Sequence, residues 1–117
     1  MTKLKKGMVI DINLDPKLGS ETGKTRSCIV VTNNIYNEKV PVIQVVPIIK
    51  WNLKKSLIKT NVEINSSQTN GLIKKSIADC LQTRPIDRRY RFIHVRGKLN
   101  PEKLKEIDLA LRIVFEI

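Results

Sequence analysis

The stretch Gly7–Asn34, G-M-V-I-D-I-N-L-D-P-K-L-G-S-E-T-G-K-T-R-S-C-I-V-V-T-N-N, decides how the rest of the chain must fold. Its two ends are apolar and its middle is polar. Gly7–Ile12 has the length of a short strand and stops where Asn13, Asp15 and Pro16 bring turn chemistry. Cys28–Thr32 is a continuous apolar run, rich in β-branched residues and halted by Asn33 and Asn34, as suits a strand buried on both faces. Between them, residues 15–26 mix glycines, hydroxyls and charges without any apolar period, which predicts an exposed, mobile loop ending on Arg26.

Working outward, Val42–Ile49 is a second apolar run and should be the longest strand, with Pro47 marking an edge, a bulge or a bend. Thr60–Ile64 alternates, placing Val62 and Ile64 on one face and Asn61 and Glu63 on the other. Asn70-Gly71 signals a turn with φ > 0, Ile77–Leu81 follows as a short strand, and Arg91–Val95 reads as another. The end differs: Asn100 can cap a helix, Pro101 suits its first turn, and Leu104, Ile107, Leu111 and Val114 recur at helical spacing. Short strands followed by one helix predict a mainly β (α+β) fold, a small curled antiparallel sheet or SH3-like barrel with the C-terminal helix packed on it, as a single domain over residues 1–117.

Composition narrows the function. A chain of 117 residues with 41% hydrophobic content supports one modest core. Its 22 Lys and Arg against 11 Asp and Glu give a net charge of +11, a potential that draws polyanions, nucleic acid first among them. No apolar run approaches the roughly 20 residues of a membrane span, and Asp11 and Asn13 interrupt the first apolar stretch too early for a signal peptide, so a cytoplasmic protein is expected. Cys28 and Cys80 sit in apolar segments without a metal-site spacing, which predicts buried free thiols, no metal and no cofactor. The single histidine, His94, falls between Ile93 and Val95 and reads as a half-exposed strand position.

The basic residues cluster in Lys3–Lys6, Lys50–Lys59 and Arg84–Lys98. In the second cluster Trp51 stands among Lys50, Lys54, Lys55 and Lys59 with no acid, the combination that single-stranded nucleic acid needs, since cations follow phosphates while a base stacks on the ring. Folding of Trp51 back into the core is the alternative. In the third, Arg84, Arg88, Arg89 and Arg91 surround Asp87 beside Tyr90; guanidinium forks suit phosphate, and Asp87 can instead pair with one of them.

In order along the chain, the opening already quoted, then V-V-P-I-I-K-W, N-V-E-I, N-G-L-I-K-K-S-I-A-D-C-L-Q-T-R-P-I-D-R-R-Y and G-K-L-N-P-E-K-L-K-E-I resemble successive segments of the MazF/PemK toxins of type II toxin–antitoxin systems. The resemblance implies an SH3-like barrel, usually a homodimer, that cleaves single-stranded RNA without a metal and is held by a small antitoxin protein, with DNA a further partner in regulation. It places the catalytic arginine at Arg26, with Glu21 in the same loop as its companion. Candidate RNA contacts are Lys24, Ser27, Lys50, Trp51, Lys54, Lys55, Gln82, Arg84 and Arg88. Two positions depart from the family: Ile49 stands where a threonine usually contacts the scissile phosphate, and Ser27 where proline commonly follows the arginine. Ser27, Ser56 and Thr60 are the hydroxyls that could replace the threonine if one lies within reach of the phosphate. A nucleic-acid-binding regulator that has lost cleavage is the alternative reading of Ile49.

Overall fold

The computed structural model describes residues 2–117. Seven strands make one antiparallel sheet with the order β4-β5-β3-β2-β1-β7, and β6 pairs with β3 beside that path. The strands are β1 (Met8–Asn13), β2 (Thr25–Val30), β3 (Val42–Lys50), β4 (Asn61–Ile64), β5 (Ser76–Asp79), β6 (Arg84–Asp87) and β7 (Phe92–Lys98). A helix α1 (Asn34–Lys39) joins β2 to β3, α2 (Leu53–Ser56) joins β3 to β4, α3 (Arg88–Arg91) joins β6 to β7, and α4 (Pro101–Phe115) closes the chain. The sheet curls without closing, in keeping with the barrel-like fold that the sequence predicts.

β1 and β2 pair from Val9↔Ile29 to Asn13↔Thr25, so the polar loop is a hairpin connection. β2 starts at Thr25, three residues before the apolar run, because a backbone ladder needs no apolar side chain where one face meets solvent. Arg26 therefore lies within a strand, opposite Ile12, and not at the end of the loop. β3 is the longest strand at nine residues. Its first half, Val42–Val45, pairs with β6 and its last three residues with β5, so Pro47, with no N–H to give, sits where the partner changes.

The central strands are buried on both faces. One face carries Val9, Ile29, Val46 and Ile48, which pack with Val62, Ile64 and the Ile107 side of α4. The other carries Ile10, Ile12, Cys28, Val30 and Val45 around Leu4. Ile107 is fully buried and Leu111 and Val114 lie against the same cluster, the stripe that the helical spacing marks. Asn100 caps α4 by accepting from Lys103 N at 2.8 Å. Asn33, Asn52 and Asp87 cap the three short helices in the same manner. Gly71, in the Asn70-Gly71 turn, has φ +70°.

Candidate nucleic-acid interface

Arg26 sits near the edge of the β1–β2 hairpin with its guanidinium half-buried, and its Nε donates to Gly23 O at 3.3 Å. That bond uses one of the five guanidinium protons and leaves both terminal nitrogens for a ligand. Two grooves meet at this side chain. The first, of about 500 Å³, lies between the hairpin loop and the β3–α2 junction and is lined by Lys17, Glu21, Lys50, Trp51 and Lys55 among others. The second, of about 340 Å³, lies across β2 and β3 and includes Ser27, Lys74, Ser76 and Arg96. Arg26, Ile49 and Lys50 belong to both.

The loop over the first groove is exposed, as its composition predicts, but it is fastened rather than free. Asp15 Oδ1 accepts from Lys24 N at 2.7 Å, Glu21 Oε1 from Leu18 N at 3.0 Å, and Gln82 Oε1 from Thr22 N at 3.3 Å. Gln82 Nε2 also donates to Ser20 O at 3.2 Å. Gln82 thus latches the loop from β5's end of the molecule. Glu21 turns one oxygen to its own loop, and the contact that holds Arg26 comes from Gly23, so orientation of Arg26 by Glu21 is not the observed arrangement.

The remaining candidates divide. Lys50, Lys55 and Trp51 converge on the first groove, and Ser27 on the second. Trp51 is half-buried: its Nε1 donates to Glu63 Oε1 at 2.5 Å and Lys75 Nζ stands 4.5 Å from the ring centroid, so one face of the indole is already covered by a cation. Lys24, at φ +65°, and Lys54 are exposed outside both linings. Arg84 donates to Leu14 O at 3.2 Å, bracing the start of the loop. Arg88 is buried and donates to Thr2 O; burial pushes its pKa below the usual guanidinium range. Its fork ties the N-terminal arm and is not presented in the grooves. Asp87 pairs with Arg89 at 2.7 Å, the internal pairing that its position suggests, and Tyr90 is exposed beside Arg89.

Of the hydroxyls proposed to replace the missing threonine, Ser27 lines the second groove beside Arg26, whereas Ser56 donates to Leu53 O in α2 and Thr60 lines neither groove. Sequence reading missed Ser76, a buried hydroxyl in the same lining whose Oγ donates to Lys74 O at 2.8 Å. It also missed a cluster around Asp11. That carboxylate, 7% exposed, accepts from Ser27 Oγ at 2.8 Å and Arg96 Nε at 2.7 Å on one oxygen, and stands 3.0 Å from His94 Nε2 on the other. The signal was available: a lone carboxylate inside an apolar strand needs partners, and His94 and Arg96 are two apart on one strand, hence on one face. Among the described residues no group of three or more His, Cys, Asp or Glu is placed to hold a metal ion. No helix is long and apolar enough to cross a membrane.

A small curled β-sheet with a docked C-terminal helix, and an arginine at the junction of two basic grooves, describes a compact polyanion-handling module. The model of the "PemK-like, MazF-like toxin of type II toxin-antitoxin system" family matches residues 5–115, and the chain belongs to that family. The endoribonuclease EndoA of Bacillus subtilis is 32% identical over 110 residues, covering 94% of this chain and 92% of that protein. Among solved structures, MazF from Deinococcus radiodurans superposes with a TM-score of 0.86 at 18% identity over the whole of both chains. A mycobacterial endoribonuclease in complex with its cognate antitoxin gives 0.75 at 15% identity, over 96% of this chain and 94% of that one.

Proposed function

We propose that this family member is an endoribonuclease that cuts single-stranded RNA by internal transesterification at Arg26, without a metal. The observation that carries the reading is the position of Arg26, its terminal nitrogens uncommitted, where two lysine-lined grooves meet. In the reaction the 2′-hydroxyl loses its proton and its oxygen forms a bond to the adjacent phosphorus. The bond from phosphorus to the 5′-oxygen breaks, and that oxygen takes up a proton, leaving a 2′,3′-cyclic phosphate and a 5′-hydroxyl. Arg26 stabilises the charge that builds on the phosphoryl oxygens and donates the proton to the leaving oxygen. Glu21, the acid in the first groove's lining, takes the 2′-proton on the carboxylate oxygen that Leu18 N leaves free. Lys50 and Lys55 hold flanking phosphates, and the open indole face of Trp51 receives a base.

The charge of +11 also suits an antitoxin with an acidic segment laid over the grooves, in line with the mycobacterial endoribonuclease of similar fold solved in complex with its cognate antitoxin, and the family resemblance extends this to a homodimer. Incubating the purified chain with a long single-stranded RNA and mapping the new ends tests the reading. Arg26→Ala should cost about 10²-fold or more in rate, the loss typical of removing one donor to a developing oxyanion. Cleavage by wild type no greater than by Arg26→Ala sinks the enzymatic reading.

Ile49 favours a second reading, because its side chain, beside Arg26 in both grooves, offers no hydrogen-bonding group. On that reading the chain is a regulator that holds nucleic acid intact, and salt-sensitive binding with undamaged RNA is its expected signature.

A further inference from the structure

The second groove has features that the reaction at Arg26 does not use. Its lining contains no acid, yet four cations reach it: Arg26, Lys50, Lys74 and Arg96. Among the described residues Arg26, Lys50 and Lys74 take part in no ion pair, so their charge faces the groove uncompensated. Arg96 is different in kind. Its Nε is held by Asp11 at 2.7 Å and one Nη by Gly71 O at 3.3 Å. Its own carbonyl is so close to Gly71 that a Cβ there would stand 2.4 Å from it. A buried carboxylate, a turn carbonyl and a backbone clamp therefore fix this guanidinium, while its second Nη is left for an incoming acceptor. Beside it Ile73, 85% exposed, forms an apolar ledge with Leu72. Fixed guanidinium, loose ammonium groups and an apolar ledge form the environment of one nucleotide, with phosphate and base each provided for.

We infer that this groove is a second nucleotide subsite for the same RNA strand, in which Arg96, positioned by Asp11, grips a backbone phosphate next to the one at Arg26. The inference rests on the RNA-cleaving reading. The strand enters along the hairpin loop, passes its scissile phosphate over Arg26 and lays the next nucleotide on the Ile73 ledge. Asp11 is a positioning residue: it touches no RNA, and its role is to aim Arg96 and, through Ser27, to hold the edge of β2. Such a fixed fork loses little side-chain entropy on binding, unlike a free lysine.

The test uses the full chain and a fluorescein-labelled 2′-O-methyl oligoribonucleotide, which lacks the attacking hydroxyl, with anisotropy read from low to moderate salt. Arg96→Gln should weaken binding about tenfold and make the slope of log affinity against log salt shallower by about 0.7, the loss of one phosphate contact on a single strand. Arg96→Lys should keep the slope. Asp11→Asn should weaken binding while keeping the slope, because the cation remains but is no longer aimed; a purely structural Asp11 would lower the melting temperature and leave affinity of the folded fraction unchanged. A folded Arg96→Gln with wild-type affinity and slope overturns the subsite. Should Arg96→Gln not fold, Lys74→Gln, at an exposed position, must show the same loss of slope, and an unchanged slope there overturns it equally. If wild type neither binds nor cuts RNA, the RNA reading itself falls; if wild type does both and these variants match it, only the subsite falls.

Discussion

At the scale of the residue, Ile49 is where chemistry and packing part company. Its β-branched side chain suits β3, opposite Ile77, but it contributes nothing polar to the grooves it shares with Arg26. Ile49→Thr keeps the branching and restores a hydroxyl, so cleavage should rise by about tenfold or more, within the range for one added donor at a developing oxyanion. An unchanged rate would mean that cleavage needs no hydroxyl at this position; Ser27 gives its proton to Asp11 and Ser76 to Lys74 O, so both present lone pairs, not a proton, to the groove. Burial pushes the thiols of both Cys28 and Cys80 up to about 12. Thiolate is the reactive form, so at pH 8 alkylation of the native protein should be at least about 10³-fold slower than in concentrated urea. Fast native labelling would contradict the burial. Asp79 is half-buried, and desolvation raises its pKa above 3.8 against the N–H groups of Gln82 and Leu81, which lower it. Its contribution to stability is therefore present below about pH 4 and lost as pH rises through the raised value. Asp79→Asn, which retains an acceptor for those N–H groups, should melt higher than wild type at pH 7, with the difference closing near pH 3.

At the scale of the element, what the sequence disclosed depended on whether a segment carries its own signal. α4 was legible because cap, proline and apolar stripe agree over 15 residues; Asn100→Ala should cost about 1 kcal/mol in chemical denaturation. β1, β3 and β4 were legible from their apolar runs and alternation. The helices α1, α2 and α3, of four to six residues, are too short for any periodicity and stand only on a cap and on their neighbours. β6 was hidden for another reason: R-P-I-D reads as a charged turn, and its strand state comes from pairing with Val42–Val45 across some forty positions of chain. In the site, Arg26 and Glu21 were legible only by family likeness, whereas the convergence of Lys74, Ser76 and Arg96 on Arg26 is tertiary and has no local trace. The turn at Gly71 was legible as Asn-Gly, but its tightness against β7 was not. There a Cβ would meet Arg96 O at 2.4 Å on a backbone at φ +70°, while Gly19, at φ +56°, has nothing within 4 Å. Gly19→Ala should thus cost only the conformational penalty, about 1–2 kcal/mol, and Gly71→Ala clearly more, as measured by urea unfolding.

At the scale of the whole molecule, the charge of +11 is a matter of where the acids are used. Glu38, Asp108 and Glu106 pair with Lys3, Lys6 and Lys103 outside both groove linings, Glu63 pairs with Lys75 and also holds Trp51 of the first groove's lining, and Asp11 is buried beneath Arg96. Each of those surface pairs is worth at most about 1 kcal/mol to folding, so their larger effect is on the potential: they quiet the periphery and leave the grooves positive. Lys50, Lys54, Lys55 and Lys59 have no acidic partner among the described residues. A field built in this way attracts any polyanion at a distance but cannot by itself choose a cleavage site, because phosphate contacts carry no sequence. Affinity and selectivity should then separate with salt. For an uncleavable single-stranded RNA, log affinity should fall against log salt with a slope between about −2 and −4, the equivalent of roughly three to six phosphates neutralised at about 0.7 each. The pattern of cleavage ends on a long RNA, measured at the same salt concentrations with enzyme adjusted to equal extent of cutting, should stay the same, since stacking and apolar contacts to bases are not screened. A slope near zero would show that the grooves do not hold the strand through its phosphates; ends that scatter as salt rises would place the selectivity in charge rather than in the shape of the two grooves.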